Sequence, residues 1–138
     1  MYTSKEKGDI GLSKIIADLI EKQVSVSLPV SEHLQYDLIA EKNGVCKRVQ
    51  VRYTQLVDGR IQPKLCTSWA NSSGSHTRYR KMEDYDVLAI YCPGTKECYY
   101  VSNEELQTMV RSFTLRITEP KTVNGGVVRY AKDYTQYK

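Results

Sequence analysis

Three polar residues, Arg48, Gln50 and Arg52, alternate with apolar ones in the segment RVQVRY, so they share one face of a predicted strand. An Asn-Gly pair at residues 43–44 predicts a tight hairpin that joins this strand to the preceding one. In that register Asp37 lies opposite Gln50 and diagonal to Arg52, within reach of a long side chain. A carboxylate on an otherwise apolar strand is costly to bury unless a cation compensates it. The pairing therefore predicts a site that combines a carboxylate, an amide oxygen and a cation.

The predicted first helix adds a second carboxylate. A capping box at residues 3–6 and apolar residues at helical spacing predict a helix that ends near Gln23. The stripe that contains Leu12 and Ile16 leads back to Asp9. We therefore expect Asp9 at the N-terminal end of the helix face that packs on the sheet.

Carboxylate and amide oxygens are the hard ligands that Mg²⁺ prefers. A bound ion polarises a phosphate and activates water, and a nearby cation stabilises the negative charge that develops. The cluster therefore favours metal-assisted phosphodiester hydrolysis with Mg²⁺, or Mn²⁺ as a substitute, carried out by Asp9, Asp37, Gln50 and Arg52. The metal ligands in this hypothesis are Asp9, Asp37 and Gln50. In the alternative, Asp9 only interacts with the helix dipole, and Asp37 forms a structural ion pair with Arg52.

Positive charge is concentrated in the middle third of the chain. Residues 42–81 contain nine Lys or Arg and one acidic residue, whereas the rest of the chain contains eleven basic and fifteen acidic residues. A segregated basic surface suits a polyanion, because neutralised phosphates release counterions. The alternative is a set of solvated strand edges and loops.

Residues 60–81 are the candidate element for recognising DNA, as an antiparallel ribbon laid in the major groove. Alternating polar residues support this prediction, as does a polar run that we expect to be mobile in the free protein and to order on the duplex. Trp69 is expected in a core or an interface rather than stacked on a base. The predicted DNA contacts, one of them on the RVQVRY strand, are Arg48, Arg60, Gln62, Lys64, Ser68, Asn71, Arg78, Arg80 and Lys81.

The 138 residues suffice for one domain with a real core, and we expect a single domain over residues 1–138. Apolar runs are too short to span a membrane, and the N-terminal residues lack the pattern of a secretory signal. We therefore expect a cytoplasmic protein whose four cysteines are reduced, and their spacing does not match a zinc site. The eleven tyrosines, several near the end of the chain, fit an oligomer interface as well as DNA contact.

Four segments resemble, in order, the blocks of the group I intron-associated homing endonucleases of the PD-(D/E)XK type. They are KGDIGLSKIIADLIEK, YDLIAEKNGVCKRVQVRYT, YDVLAIYC and CYYV. The resemblance implies an α/β fold with a restriction-endonuclease-like core, in which helices flank a central mixed β-sheet and a DNA-binding β-ribbon is added. It implies Mg²⁺-dependent cleavage of both strands of a long DNA target by a homo-oligomer, a dimer or a tetramer. It also matches the metal-binding aspartate of the motif to Asp37 and the second metal-binding position to Gln50.

Two positions depart from the family pattern. Arg52 stands where the motif has a lysine, and its far higher pKa means that it cannot easily exchange a proton. Leu12 stands where related enzymes carry a helix glutamate, so Asp9, one turn earlier, is the substitute. The positive charge could instead come from Lys64 or Lys14. These departures leave open a non-catalytic or junction-specific DNA-binding member of the same fold, and the basic surface alone would also suit an RNA-binding helper in intron splicing.

Overall fold

The computed structural model describes residues 1–119 and 127–138. Within them the chain forms two α-helices and ten strands, together with short 3₁₀ turns at Met82–Asp84 and Ala131–Tyr134. In chain order the elements are α1 (Ser4–Glu21), β1 (Ser25–Ser27), β2 (Leu38–Lys42), β3 (Val45–Tyr53), β4 (Leu56–Val57), β5 (Arg60–Ile61), β6 (Thr67–Asn71), β7 (Gly74–Arg78), β8 (Val87–Cys92), β9 (Glu97–Ser102), α2 (Asn103–Leu106) and β10 (Leu115–Arg116).

A five-stranded mixed sheet forms the centre of the structure, with strand order β1-β2-β3-β8-β9. Only the β3–β8 pair is parallel, and the other three pairs are antiparallel. The β2–β3 hairpin turns at Asn43 and Gly44, whose φ angles of 53° and 79° are the positive values that a two-residue turn of this type requires. Lys42 therefore pairs with Val45, and the predicted register is confirmed.

Helix α1 covers one face of the sheet. Its predicted capping box is present, because the Glu6 N–H donates to the Thr3 hydroxyl and the Thr3 N–H donates to the Glu6 carboxylate. The buried residues of the helix are Gly11, Ile15 and Leu19. A side chain at Gly11 would begin 3.3 Å from Tyr53 Cβ, so glycine permits the close approach of the helix to the end of β3.

The alternation of side chains along the central strands makes two hydrophobic cores. Val49 and Val51 of β3 pack with α1 on one face, together with Val87 and Ala89 of β8. The even-numbered residues of β8 turn to the other face, where they pack with β5, β10, α2 and Phe113. Arg48, Gln50 and Arg52 alternate with the valines of β3, so this second face is also the side of the sheet that carries the polar residues.

Two smaller strand groups lie beside the central sheet. Strands β10, β5 and β4 form a three-stranded sheet, whereas β6 and β7 form a separate two-stranded ribbon. Residues 67–78 of this ribbon pair in register through a turn at residues 72–73, and the expected mobility of its polar run in the free protein stays a prediction. Among the described residues, no helix is long and apolar enough to cross a membrane. All four cysteines are free of disulfide bonds.

Candidate active site and DNA-binding ribbon

Asp37 lies immediately before β2, where the chain begins to pair with β3. Its N–H donates to the Val49 carbonyl at 2.8 Å, and its Oδ2 accepts a hydrogen bond from the Val51 N–H at 2.7 Å. Among the described residues, no hydrogen bond reaches its Oδ1. The hairpin register thus holds the carboxylate against the β3 backbone and leaves one oxygen available.

Gln50 and Arg52 extend the polar group along β3. The Gln50 amide is oriented so that both its oxygen and its nitrogen have hydrogen-bond partners. Its oxygen accepts a hydrogen bond from Arg52 Nη1 at 2.9 Å, and its nitrogen donates to the Gln35 carbonyl at 2.5 Å. Arg52 Nε donates to the Lys64 carbonyl at 3.1 Å. The structure therefore brings Asp37, Gln50 and Arg52 together at one end of the β2–β3 pair.

The surroundings of Asp37 only partly offset the cost of burying its negative charge. Burial raises its pKa above the ordinary value, and the Val51 hydrogen bond and the Arg52 charge oppose this only in part. The structural ion pair that we considered for Asp37 and Arg52 is not formed within 4.0 Å among the described residues. A half-buried carboxylate of this kind would be stabilised by an additional cation at its free oxygen.

The donor atoms of this site fit a hard divalent ion. The described residues contain no group of three His, Cys, Asp or Glu side chains that could hold a metal. Mg²⁺ does not require such a cage, because it commonly binds one or two protein oxygens and completes its shell with water and substrate phosphates. Asp37 Oδ1 and the second lone pair of the Gln50 amide oxygen are two such donors.

Asp9 is placed differently from our expectation. It is exposed, and the prediction that it lies on the face packed against the sheet is wrong, because the buried stripe of α1 runs through Gly11, Ile15 and Leu19. Moreover, α1 packs on the valine face of β3, whereas Gln50 lies on the polar face. Among the described residues, no hydrogen bond or ion pair joins Asp9 to the site, so its part in metal binding stays a prediction.

Two of the predicted DNA-binding arginines form ion pairs with acidic residues of the same chain. Arg48 forms an ion pair with Asp86 (Nη2 to Oδ1, 3.1 Å), and its Nη1 donates to the Glu83 carbonyl at 2.6 Å. Arg78 forms a two-pronged ion pair with Asp84, at 2.9 and 3.0 Å. The hydrogen bonds from these arginines hold the pKa of both aspartates below the usual range. Both arginines are therefore partly neutralised before any nucleic acid binds.

Arg80, another predicted DNA contact, is inside the protein. Only 4% of its surface is exposed. Its guanidinium donates to the carbonyls of Gln107 and Met109, both at 3.0 Å, and to the side-chain oxygen of Asn103, and it lies 5.4 Å from the centre of the Tyr85 ring. This placement contradicts the prediction, because the guanidinium is buried where a phosphate cannot reach it, and its two terminal nitrogens donate to oxygens of the protein itself.

The ribbon of β6 and β7 buries very little. Every residue of β6 is exposed, including Ser68, and the Trp69 ring stacks on His76 across the ribbon at 5.4 Å. Trp69 is 48% exposed, so it does not lie in a core of the single chain, and its expected place in an interface stays a prediction. Asn71 Oδ1 accepts hydrogen bonds from Ser73 and His76 at the turn. A two-stranded ribbon with both faces in solvent is marginal by itself, which favours a role in binding a partner.

The remaining predicted contacts offer free polar groups. Arg60, Lys64 and Lys81 are exposed, and among the described residues their side chains make no hydrogen bond or ion pair. Gln62 is also exposed, and its amide donates to the Ser112 hydroxyl at 3.3 Å. These cations lie in the segments that lead into and out of the ribbon.

The sequence-based prediction missed the acids that neutralise the arginines. Asp86 immediately precedes the buried strand β8, and the parallel pairing of Val49 with Val87 places it beside Arg48. The available signal was the apolar run that follows Asp86, which is typical of a central strand. Its pairing partner, however, is a long-range contact that the run itself does not reveal.

The burial of Asp37 leads to a prediction about stability. Because its pKa is raised in the folded state, the folded protein retains a proton that the unfolded chain has already lost, so stability falls as the pH rises from about 3.8 through the raised value. Asp37→Asn keeps an acceptor for the Val51 N–H and removes the loss of stability that ionisation of the carboxylate causes. At pH 7 we expect the variant to melt at a higher temperature than the natural chain, as measured by calorimetry. A lower melting temperature at pH 7 would show that the ionised carboxylate is stabilising.

Comparison with known proteins gives a consistent assignment. A family model described as PD-(D/E)XK endonuclease matches residues 2–137. The solved structure of a bacterial homing endonuclease, I-Ssp6803I, superposes with a TM-score of 0.80 at 18% identity, covering 96% of this chain and 88% of that one. No curated protein sequence matches. At this identity the structural match shows the fold, and that fold is the restriction-endonuclease-like α/β arrangement expected from the sequence.

Proposed function

Because the chain belongs to the PD-(D/E)XK endonuclease family, we propose that it is a site-specific DNA endonuclease of the homing type. It hydrolyses phosphodiester bonds in both strands of a long target with Mg²⁺, and Mn²⁺ can substitute. The observation that carries this proposal is the half-buried Asp37 carboxylate, held by the hairpin register beside Gln50 and Arg52. Association with a group I intron belongs to the same proposal and is supported by the sequence resemblance, and action in the cytoplasm is proposed with it.

In the proposed mechanism Asp37 and Gln50 would hold the divalent ion through side-chain oxygens. When bound, the ion supplies Lewis-acid polarisation of the scissile phosphate and lowers the pKa of water. Arg52 presents a fixed positive charge that stabilises the negative charge developing on the phosphate. Its pKa is too high for proton exchange near neutrality, so its contribution is electrostatic. Asp9 is a further candidate ligand that requires a separate test.

The ribbon of β6 and β7 is the proposed DNA-recognition element. The major groove admits a two-stranded ribbon, whose side chains can then reach base edges. Ser68 and Asn71 lie on the ribbon and can contact bases, whereas Arg60, Gln62, Lys64 and Lys81 flank it and can contact phosphates. Arg48 and Arg78 keep partial exposure and are secondary candidates.

A homo-oligomer, a dimer or a tetramer, is part of the proposal. One catalytic site per subunit cuts one strand at a time, so cleavage of both strands requires at least two copies. Apolar side chains of the C-terminal third that are exposed in the single chain support an interface there. They are Val110, Ile117, Val127 and Val128.

The proposed function is tested by cleavage of a pooled random-sequence duplex library with Mg²⁺ and then with Mn²⁺. We expect one long sequence to be recovered at the cut ends and no cutting in EDTA. Saturable, salt-sensitive binding without cleavage under either metal would instead show a non-catalytic DNA-binding protein. Preferential cutting of four-way junctions over linear duplex would show the junction-specific alternative.

Phosphate contact by the flanking cations predicts a change in salt dependence. For Lys81→Ala, the slope of log affinity against log salt should become less steep by about 0.9, because one fewer counterion is released. Lys5→Ala, which removes an exposed lysine of α1, is the control and should leave the slope unchanged. The measurement is duplex affinity between low and moderate salt in EDTA. Equal slopes for Lys81→Ala and the natural chain would remove Lys81 from the DNA surface.

A further inference from the structure

The Arg52 guanidinium makes contacts on two sides that belong to different parts of the protein. On one side, Nη1 donates to the Gln50 amide oxygen at 2.9 Å, and its positive charge lowers the pKa of Asp37 against the effect of burial. On the other side, Nε donates to the backbone carbonyl of Lys64 at 3.1 Å. One side chain therefore touches both the candidate catalytic group and a separate chain segment.

That separate segment is the entrance to the ribbon. Lys64 lies three residues before β6 begins at Thr67. The Leu65 N–H donates to the Arg111 carbonyl at 2.7 Å, so this entrance is fixed on its far side by the segment before β10. The Arg52 side chain fixes it on the near side, toward β3. A displacement of the ribbon entrance would therefore be transmitted to the guanidinium.

The ribbon exit is held in another way. Arg78 is paired with Asp84, and the buried Arg80 is bonded to carbonyls near the end of α2. Neither of these contacts involves the strand that carries Gln50. The same strand also contacts the segment beyond the exit, where Arg48 Nη1 donates to the Glu83 carbonyl at 2.6 Å, but the hydrogen bond from Arg52 to Lys64 is the one that joins the Gln50 amide to the ribbon entrance.

We propose that Arg52 couples recognition to cleavage, because the guanidinium that stabilises charge on the phosphate also registers whether the ribbon is seated on the correct target. The proposal rests on the proposed nuclease function and adds a specificity role to this site. Seating the ribbon shifts the Lys64 carbonyl, and this shift frees or redirects Arg52 Nε. The position of the guanidinium then determines where its positive charge meets the scissile phosphate. On an incorrect target the guanidinium stays on Lys64 and Gln50. Coupling of this kind is reciprocal between the two sites.

The shape of the side chain explains why this position suits arginine. A guanidinium is a rigid fork that donates from Nε and Nη1 in different directions, whereas a lysine ammonium is one compact charge at the end of a flexible chain. Arg52→Lys therefore keeps the positive charge near Asp37 and loses the fixed bridge to Lys64. This variant separates the electrostatic role of the residue from its coupling role.

The first test uses hydrogen exchange of the free protein without metal or DNA. In Arg52→Lys we expect the amides of residues 65–69 to exchange roughly 3- to 10-fold faster, as for the loss of one partly exposed hydrogen bond, while the amides of β8 stay unchanged. Arg60→Lys is the matched control, because Arg60 is exposed on β5, and it should change neither region. Arg52→Gln provides a second variant in case the lysine adopts a bridging position. Unchanged exchange at residues 65–69 in both Arg52 variants would overturn the coupling.

The second test measures discrimination on the recovered target. We expect the ratio of cleavage rates between the target and duplexes with one mismatch under the ribbon to fall about 5- to 10-fold in Arg52→Lys, with duplex affinity nearly unchanged. An undiminished ratio would overturn the coupling while leaving the nuclease assignment intact. If the Arg52 variants show the expected differences in hydrogen exchange but the natural chain cuts no DNA, the result would instead overturn the proposed function.

Discussion

Asp37→Asn is expected to reduce the rate of DNA cleavage by at least about a thousand-fold, ~4 kcal/mol of transition-state stabilisation, while leaving duplex binding within about two-fold. Asparagine keeps the hydrogen bond from the Val51 N–H, so the β2–β3 hairpin should persist. It removes the negative charge that would hold the metal ion. The rate is measured by single-turnover cleavage of the recovered target, and the affinity is measured in EDTA.

Asp58→Asn is the matched control for this variant. Asp58 is an exposed acid in the turn between β4 and β5, and its loss removes the same charge from a position outside the site. Its cleavage rate should equal that of the natural chain. Simultaneous loss of cleavage and binding in Asp37→Asn would mean that Asp37 is structural and that the site lies elsewhere.

Arg80→Met is expected to lower the free energy of unfolding by about 3 kcal/mol. The substitution fills a similar volume and leaves the carbonyls of Gln107 and Met109 and the Asn103 side chain without their donor. Denaturant unfolding followed by circular dichroism gives the difference directly. Because Arg80 also anchors the ribbon exit, we expect the amides of β7 to exchange faster in this variant.

Arg60→Met is the control for Arg80→Met, since it removes an exposed arginine that has no side-chain partner among the described residues. It should leave stability within about 0.5 kcal/mol and weaken DNA binding. The opposite pattern, with Arg80→Met stable and deficient in binding, would restore Arg80 as a DNA contact and contradict its buried position.

The central pairing could be predicted from the sequence because local rules determine it. The Asn43-Gly44 turn specifies a two-residue loop, and the loop specifies which residues face each other across β2 and β3. The position of Asp37 beside Gln50 and Arg52 follows from these rules. The family resemblance implied the same residues, and the family model and the structural match support the fold.

The errors arise where contacts are distant in sequence. The buried state of Arg80 depends on carbonyls that become available only where α2 ends, and no local pattern around Arg80 indicates them. The partners of Arg48 and Arg78 depend on the placement of β8 and of the turn before it. Only the folded structure therefore shows which of the clustered basic residues are structural and which are exposed.

The error for Asp9 has a different origin, because two helical stripes were compatible with the apolar residues of α1. The stripe through Leu12 and Ile16 leads back to Asp9, whereas the stripe through Gly11 and Ile15 is the buried one. Glycine contributes almost nothing to an apolar pattern, so its close approach to Tyr53 could not be inferred from hydrophobicity. The expected position of Asp9 was off by roughly a third of a turn as a result.

The most direct measurement is to locate the divalent ion with Fe²⁺ in place of Mg²⁺, using the hydroxyl radicals it generates from hydrogen peroxide, with ascorbate to return Fe³⁺ to Fe²⁺, to cut the polypeptide nearby. We predict cuts near residues 37 and 50–52 that excess Mg²⁺ suppresses and that Asp37→Asn abolishes. Additional cuts near residue 9 would include Asp9 in the site. Cuts confined to other segments, or unchanged in Asp37→Asn, would contradict the assignment of the catalytic centre to the paired strands β2 and β3.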